Sequence, residues 1–224
     1  MNIFDIIGPV MVGPSSSHTA GAARIGYTAR MLMGEPVARA EVLLYGSLLA
    51  TGKGHGTDCA VIAGLMGMRP DDERIAHSLT LAREAGMEVV FGEADLKDAH
   101  PNSVLLKLTG SSGRRMEIIG ESLGGSLINI RSINGMDADF SGEAPTLILY
   151  YRDKPGFVSG VTSMLALQGV NIATMHVSRR TRGGTAAMVI ECDQEIPEGS
   201  AAALTAAAGV ERVLYYSPKG GGDL

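Results

Sequence analysis

Residues 146–216 alternate runs of strand and helix period in the order strand, helix, strand, strand, helix, strand. This order constrains the fold more than any other feature of the chain. Residues 146–152 are an apolar run of strand length, residues 157–167 predict a helix closed by Gly169, and residues 170–179 predict a second strand. Arg182-Gly183-Gly184 turns the chain into a third strand, 185–192, in which Ala186, Met188, Ile190 and Cys192 share one face. A helix over 198–208 and a strand over 210–216 complete a split βαβ, ferredoxin-like pattern.

The residues before this block mix the two periods. Helices are predicted over 20–34, 57–66 and 71–85, the last opened by Asp71, Asp72 and Glu73 and closed by Gly86. Extended runs are predicted over 39–45, 87–91, 103–109, 116–121 and 126–133, with residues 110–113 as a hairpin connection. The fold class expected is α+β: an amino-terminal α/β domain with a mixed, substantially antiparallel sheet over 1–141, then the ferredoxin-like domain over 146–217. The change of texture at Phe140-Ser141-Gly142-Glu143-Ala144-Pro145 marks the boundary, and the glycine-rich end, 218–224, is expected to be a flexible tail.

Gly13-Pro14-Ser15-Ser16-Ser17-His18-Thr19 places three consecutive hydroxyls and an imidazole where the first helix begins. First-turn amides are unpaired and carry the positive end of the helix dipole, so main chain and hydroxyls together can hold a carboxylate or phosphate. Ser15, Ser16, Ser17 and Thr19 are the candidate binding residues, and His18 is the leading candidate for proton transfer. Ordinary N-capping would need only one of these hydroxyls.

Gly52-Lys53-Gly54-His55-Gly56-Thr57-Asp58 reads as a glycine-rich loop between a strand and a helix, with Lys53 and His55 as further binding candidates. It is not a P-loop, because five residues rather than four separate Gly46 from Gly52, and Gly54 stands where a magnesium-binding Ser or Thr belongs. Lys53 has no acidic partner that would mark a pyridoxal phosphate site, and no such cofactor is expected. His100-Pro101-Asn102-Ser103 reads as a turn before a strand.

Composition excludes several classes. The chain has 224 residues, 45% of them hydrophobic, and a net charge of -5 with scattered Lys and Arg, so it has a sizeable core and no basic footprint for nucleic acid or an anionic membrane. No apolar run reaches transmembrane length, and residues 1–5 show neither a basic n-region nor a cleavage site, which together predict a cytoplasmic protein. Two cysteines, Cys59 and Cys192, are too few for a disulfide framework or a four-cysteine metal site, and both fall in packing patterns. No metal ligand is assigned in this chain.

The turn Asp153-Lys154-Pro155-Gly156 and the segment Gly169-Val170-Asn171-Ile172 make the carboxy-terminal block resemble the ACT domain, a small amino-acid-binding module. By that resemblance Lys154, Pro155, Gly156 and Asn171 are the ligand-binding candidates, and the module either binds amino acid or only pairs subunits through its sheets. Taken with the seryl-histidyl motif, the 52–58 segment and His100-Pro101-Asn102-Ser103, the chain resembles the beta subunit of the iron–sulfur-dependent L-serine dehydratases. Its first part is also similar to the allosteric substrate-binding domain of some phosphoglycerate dehydrogenases. The resemblance implies a lyase that converts L-serine to pyruvate and ammonia without pyridoxal phosphate, using a 4Fe-4S cluster. It also implies a cysteine-bearing alpha subunit that ligates the cluster, and self-association through the ACT domain. The alternative function is a regulatory subunit that senses an amino acid and performs no chemistry.

Overall fold

The computed structural model describes residues 11–219; the observations on residues 1–5 and on the tail beyond residue 219 fall outside them. Two compact units divide between Gly135 and Met136. In the first, β1 (Val37–Leu44) pairs in parallel with β2 (Glu88–Glu93) and antiparallel with β3 (Ser103–Gly110). Strands β4 (Arg115–Gly124) and β5 (Leu127–Ile133) continue antiparallel, so this unit's strands run in the order β2-β1-β3-β4-β5. The sheet is mixed, as the sequence predicts.

Helix α1 (Ala22–Met33) presents Ala22, Ile25, Ala29 and Leu32 to the core and ends on Gly34, whose left-handed conformation (φ 72°) lets its N–H reach the carbonyls of Arg30 and Met31. Helix α2 (Gly46–His55) follows β1 directly, and α3 (Thr57–Leu65) is buried along nearly its whole length. Helices α1 and α3 touch backbone to backbone. A Cβ on Gly26 would lie 2.3 Å from the Val61 carbonyl, and one on Gly64 would lie 2.1 Å from the Ala23 carbonyl. Only glycine permits that approach, which sets the first turns of α1 against the end of α3.

Two expectations are corrected here. Residues 52–55 are not loop but the end of α2, and the Gly56 N–H is bonded to the Gly52 carbonyl as the left-handed cap of that helix. Its three glycines hide a helix because they contribute no side-chain period. The helix expected over 71–85 is a 3₁₀ turn, Glu73–His77, followed by α4 (Ser78–Glu84), because the Asp72 side chain caps at Arg74 and starts a tighter turn first.

The second unit opens with β6 (Met136–Phe140), which packs against two later strands, β8 (Ile172–Arg179) and β9 (Thr185–Cys192). Its remaining elements are β7 (Thr146–Arg152), α5 (Phe157–Leu167), α6 (Ser200–Thr205) and β10 (Val210–Tyr216). The sheet is antiparallel throughout, in the order β10-β7-β9-β8. Central strands β7 and β9 are buried on both faces, which is why their sequences are almost wholly apolar, whereas edge strand β8 keeps Met175 and Val177 each 43% exposed. The Tyr151 ring stacks on Phe157 with centroids 3.9 Å apart, joining β7 to the first turn of α5 over a core that includes Leu149, Leu165 and Met188. Buried Glu191 accepts hydrogen bonds from the Ser141 amide and hydroxyl and from Thr174 Oγ1, at 3.0, 2.6 and 2.8 Å. These three bonds hold the incoming segment against β8 and β9.

Candidate functional site

Ser15 is extended and its hydroxyl accepts the His18 N–H at 3.0 Å, capping a single π turn, Ser16–Gly21, that runs into α1. Both Thr19 N and Ala20 N donate to the Ser15 carbonyl, at 3.0 and 3.2 Å. The turn is pinned from below by β4 and the β4–β5 connection: Ser122 Oγ donates to the Ser17 carbonyl at 2.9 Å, and Ser126 Oγ reaches the Ser16 carbonyl at 3.5 Å. Contact there is so close that a Cβ on Gly21 would meet Ser122 Oγ at 2.1 Å.

Helix α2 borders the same turn. His18 Nε2 lies 3.1 Å from Ser47 Oγ in the first turn of α2, and Thr19 Oγ1 donates to the His55 carbonyl at its last residue, at 2.9 Å. The His18 and His55 rings face each other with centroids 5.0 Å apart and planes tilted by 32°. His55 Nδ1 sits 3.0 Å from the Thr51 carbonyl; a carbonyl only accepts, so Nδ1 carries the hydrogen, and in the neutral ring Nε2 holds the lone pair. Among the described residues that Nε2 has no hydrogen-bond partner, whereas both ring nitrogens of His18 are engaged, Nδ1 by Ser15 Oγ at 3.3 Å. Burial lowers the His18 pKa, His55 lowers it further by repulsion, and a hydrogen bond at Ser47 opposes both, so His18 is neutral at neutral pH.

The turn expected at His100-Pro101-Asn102-Ser103 joins this cluster. The Pro101 carbonyl accepts from Ser47 N at 2.7 Å, the Asn102 carbonyl from Ser122 N at 2.9 Å, and His100 Nδ1 from Asn102 N at 3.1 Å. Buried Asn102 Oδ1 has no partner among the described residues. Glu121, 9% exposed, lies behind this segment and receives only long contacts from His100 N (3.4 Å), Asn129 Nδ2 (3.4 Å) and Arg131 (3.7 Å).

The structure therefore brings together Ser15, Ser16, Ser17, His18, Thr19 and His55, while Lys53 is exposed on α2 and makes no such contact. Asn102, from the segment that the sequence marks as a turn, belongs to the same cluster, as do Ser47 and Ser122, which are not among the site candidates read from the sequence; nothing local marks a lone serine in a first turn or within a strand.

The residues present do not fit an iron–sulfur cluster. Cys59 sits on α3 in the first unit and Cys192 on β9 in the second, and burial raises both thiols, Cys192 to about 11, so neither is a thiolate at neutral pH. Among the described residues no group of three His, Cys, Asp or Glu side chains is placed to hold a metal ion. No helix among them is long and apolar enough to cross a membrane.

In the second unit Lys154, Pro155 and Gly156 line one end of a cavity of about 520 Å3 between α5 and α6, closed by Phe157, Met164 and Leu204. Gly156 holds φ 86° and no side chain caps the first turn of α5. The Lys154 ammonium donates to the Ala208 carbonyl at 2.9 Å. Asn171 does not line this cavity: its N–H donates to Gln194 Oε1 at 2.7 Å and its side-chain amide to Asp193 Oδ2 at 2.6 Å. Of its polar side-chain atoms, Oδ1 is the one without such a bond.

Residues 2–85 match the family model described as "Serine dehydratase beta chain", and residues 146–209 match that of the ACT domain. The chain is 43% identical over 197 residues to the "Probable L-serine dehydratase, beta chain" of Bacillus subtilis, covering 88% of this chain and 89% of that protein. It is 38% identical over 210 residues to the "L-serine dehydratase, beta chain" of Peptoniphilus asaccharolyticus, covering 93% of each. It is also 27% identical over 191 residues to the D-3-phosphoglycerate dehydrogenase of a Synechocystis species, covering 84% of this chain but 34% of that enzyme.

Proposed function

Since the chain belongs to the beta chains of the L-serine dehydratases, we propose that it supplies the proton-transfer half of a centre that converts L-serine to pyruvate and ammonia. A cysteine-bearing alpha subunit completes that centre and holds the 4Fe-4S cluster for which this chain has no ligands. The observation that carries the proposal is the paired imidazoles, one with both nitrogens bonded and the other with an open Nε2.

Elimination from serine needs a base at the α-carbon and a binding site for the carboxylate. His55 Nε2 is the base: its hydrogen is fixed on Nδ1 by Thr51, so the lone pair is presented at a constant position. Ser16 and Ser17 lie at the amino end of the helix formed by the π turn and α1, where the dipole and their hydroxyls hold the carboxylate, while Ser15 caps the turn at His18 and Thr19 ties it to the His55 carbonyl. His18 was the first choice for proton transfer from sequence; its bonded nitrogens give it an orienting role instead. The α-proton goes to His55 and the β-hydroxyl departs with the C–O electron pair as hydroxide, which takes up a proton and leaves as water; the aminoacrylate that remains tautomerises to the imine, and a water molecule hydrolyses it to pyruvate and ammonia. The test is His55→Gln in the assembled two-subunit enzyme: serine turnover falls by about a hundredfold or more with assembly intact, the loss expected for removal of a general base. Turnover within twofold of wild type would overturn the assignment.

A regulatory reading attaches to the second unit. The cavity lined by Lys154, Pro155 and Gly156 has the cation and the uncapped helix start that an amino-acid carboxylate needs. L-Serine binding there, and self-association through the ACT sheet, are read out by calorimetry and sedimentation. A calorimetric isotherm for L-serine that Lys154→Ala leaves unchanged would remove this site.

A further inference from the structure

One hydroxyl in the cluster has no role in the chemistry above: Ser47 Oγ, 3.1 Å from His18 Nε2. The His18 backbone N–H can only donate, so one lone pair of the Ser15 hydroxyl oxygen accepts it; the arrangement that gives the chain of contacts a single direction then sets the Ser15 hydroxyl hydrogen on His18 Nδ1, 3.3 Å away. An Nδ1 that accepts leaves the ring hydrogen of a neutral imidazole on Nε2, where Ser47 Oγ is the acceptor.

Ser47 is rigidly held for that task. Its N–H donates to the Pro101 carbonyl at 2.7 Å, and its carbonyl accepts from Thr51 Oγ1 at 2.9 Å. Gly46 before it has φ 57°, and a Cβ there would lie 2.4 Å from the Pro101 carbonyl, so the start of α2 cannot slide past this segment. Thr51 in turn lends its carbonyl to His55 Nδ1. One turn of α2 thus links the partner of His18 to the partner of His55.

We propose that Ser47 is a positioning residue that ends a one-way Ser15–His18–Ser47 relay, fixing His18 as the Nε2–H tautomer so that His55 alone offers a free ring nitrogen. The proposal rests on the assignment of His55 as base for its functional consequence, but not for its geometry. With the rings 5.0 Å apart, an unanchored His18 that rotated or exchanged its hydrogen would place a second lone pair or a charge beside His55 and compete for the proton. The Ser47 hydroxyl hydrogen is not consumed by the relay.

The test is ¹⁵N-histidine nuclear magnetic resonance on the full chain at pH 8. Wild type is expected to show His18 with a protonated Nε2 and a bare Nδ1, and His55 with the reverse pattern. Ser47→Ala should collapse the His18 pattern towards the average of two exchanging tautomers while His55 keeps its own, which also reports that the fold is intact. Ser47→Cys, of similar size and with a weaker acceptor, should fall between. A His18 ring protonated on Nδ1 in wild type, or a His18 pattern that Ser47→Ala leaves unchanged, overturns the proposal. In the two-subunit enzyme Ser47→Ala should lower kcat by about a hundredfold, as a misplacement of roughly 1 Å can, with KM changed less than kcat. If the tautomers behave as stated but the wild-type assembly does not deaminate serine, the functional reading fails and the positioning stands. If serine is deaminated and the tautomers are indifferent to Ser47, the positioning alone fails.

Discussion

Gly64→Ala tests the backbone contact that sets α3, and with it the end of α2, against α1. A Cβ at residue 64 would lie 2.1 Å from the Ala23 carbonyl oxygen and 2.5 Å from Tyr27 N, where ordinary contacts are 3.4–4 Å and both obstacles are backbone. The helices must part by roughly 1 Å, and overpacking of this kind costs about 1–3 kcal/mol or more. Alanine's better helix propensity returns up to about 1 kcal/mol, and the parted helices lose dispersion contacts as well, so the expected net destabilisation is about 2 kcal/mol. For a chain of this size that lowers Tm by roughly 4–8 °C. Gly54→Ala is the paired control. It is the same chemical change within α2, its Cβ would meet nothing within 4 Å, and it should stabilise by about 0.5–1 kcal/mol through the unfolded chain. Urea and thermal unfolding followed by far-ultraviolet circular dichroism measure both. A Gly64→Ala protein as stable as wild type, or a Gly54→Ala protein destabilised as much as Gly64→Ala, would refute the reasoning.

Other outcomes follow from single contacts. The folded-state pKa of His18 is lowered, so the unfolded chain binds the proton more tightly; this contribution is complete above the unfolded value of about 6.5 and is lost as pH falls from there through the lower folded-state pKa. Stability measured from pH 7.5 to 5.5 should therefore decline less steeply in His18→Asn than in wild type, and an unchanged slope would contradict the shift. Glu191→Ala strands the Ser141 and Thr174 donors and should destabilise the second unit by about 2–3 kcal/mol in urea denaturation, whereas Glu143→Ala on the exposed neighbouring segment should change it by less than about 0.5 kcal/mol. Asn171→Ala should leave serine binding at the α5–α6 cavity unaltered in calorimetry, because the Asn171 donors are bonded to Asp193 and Gln194; a lost isotherm would bring Asn171 into the site.

The second unit was legible because each of its elements is bounded by a residue with a physical job. Gly156, Gly169, Gly183 and Gly209 all adopt positive φ at element ends, and β7, α5, β9 and β10 begin and end where the pattern predicts. The first unit was legible where periods were long, as in α1 and β3, and opaque where glycine replaced the side chains that carry a period. Helix α2 contains Gly46, Gly52 and Gly54, and reads as loop. The seryl-histidyl turn was visible as a motif, but its shape was not: a π turn depends on which carbonyls are claimed from outside, and Ser122 and Ser126 that claim them stand more than 100 residues away in the chain. For the same reason His55 could not be ranked above His18. Their order rests on the Ser47 and Thr51 contacts, which arise only once α2 lies beside the turn.

The most direct measurement is anaerobic serine deamination by this chain alone, by the chain assembled with the cysteine-bearing alpha subunit proposed above, and by the same assembly carrying His55→Gln at equal iron content. Turnover only in the wild-type assembly, with the variant down about a hundredfold, is the predicted result. Serine turnover by this chain on its own, or an undiminished His55→Gln assembly, would contradict the claim that its paired imidazoles complete a centre whose metal lies on another subunit.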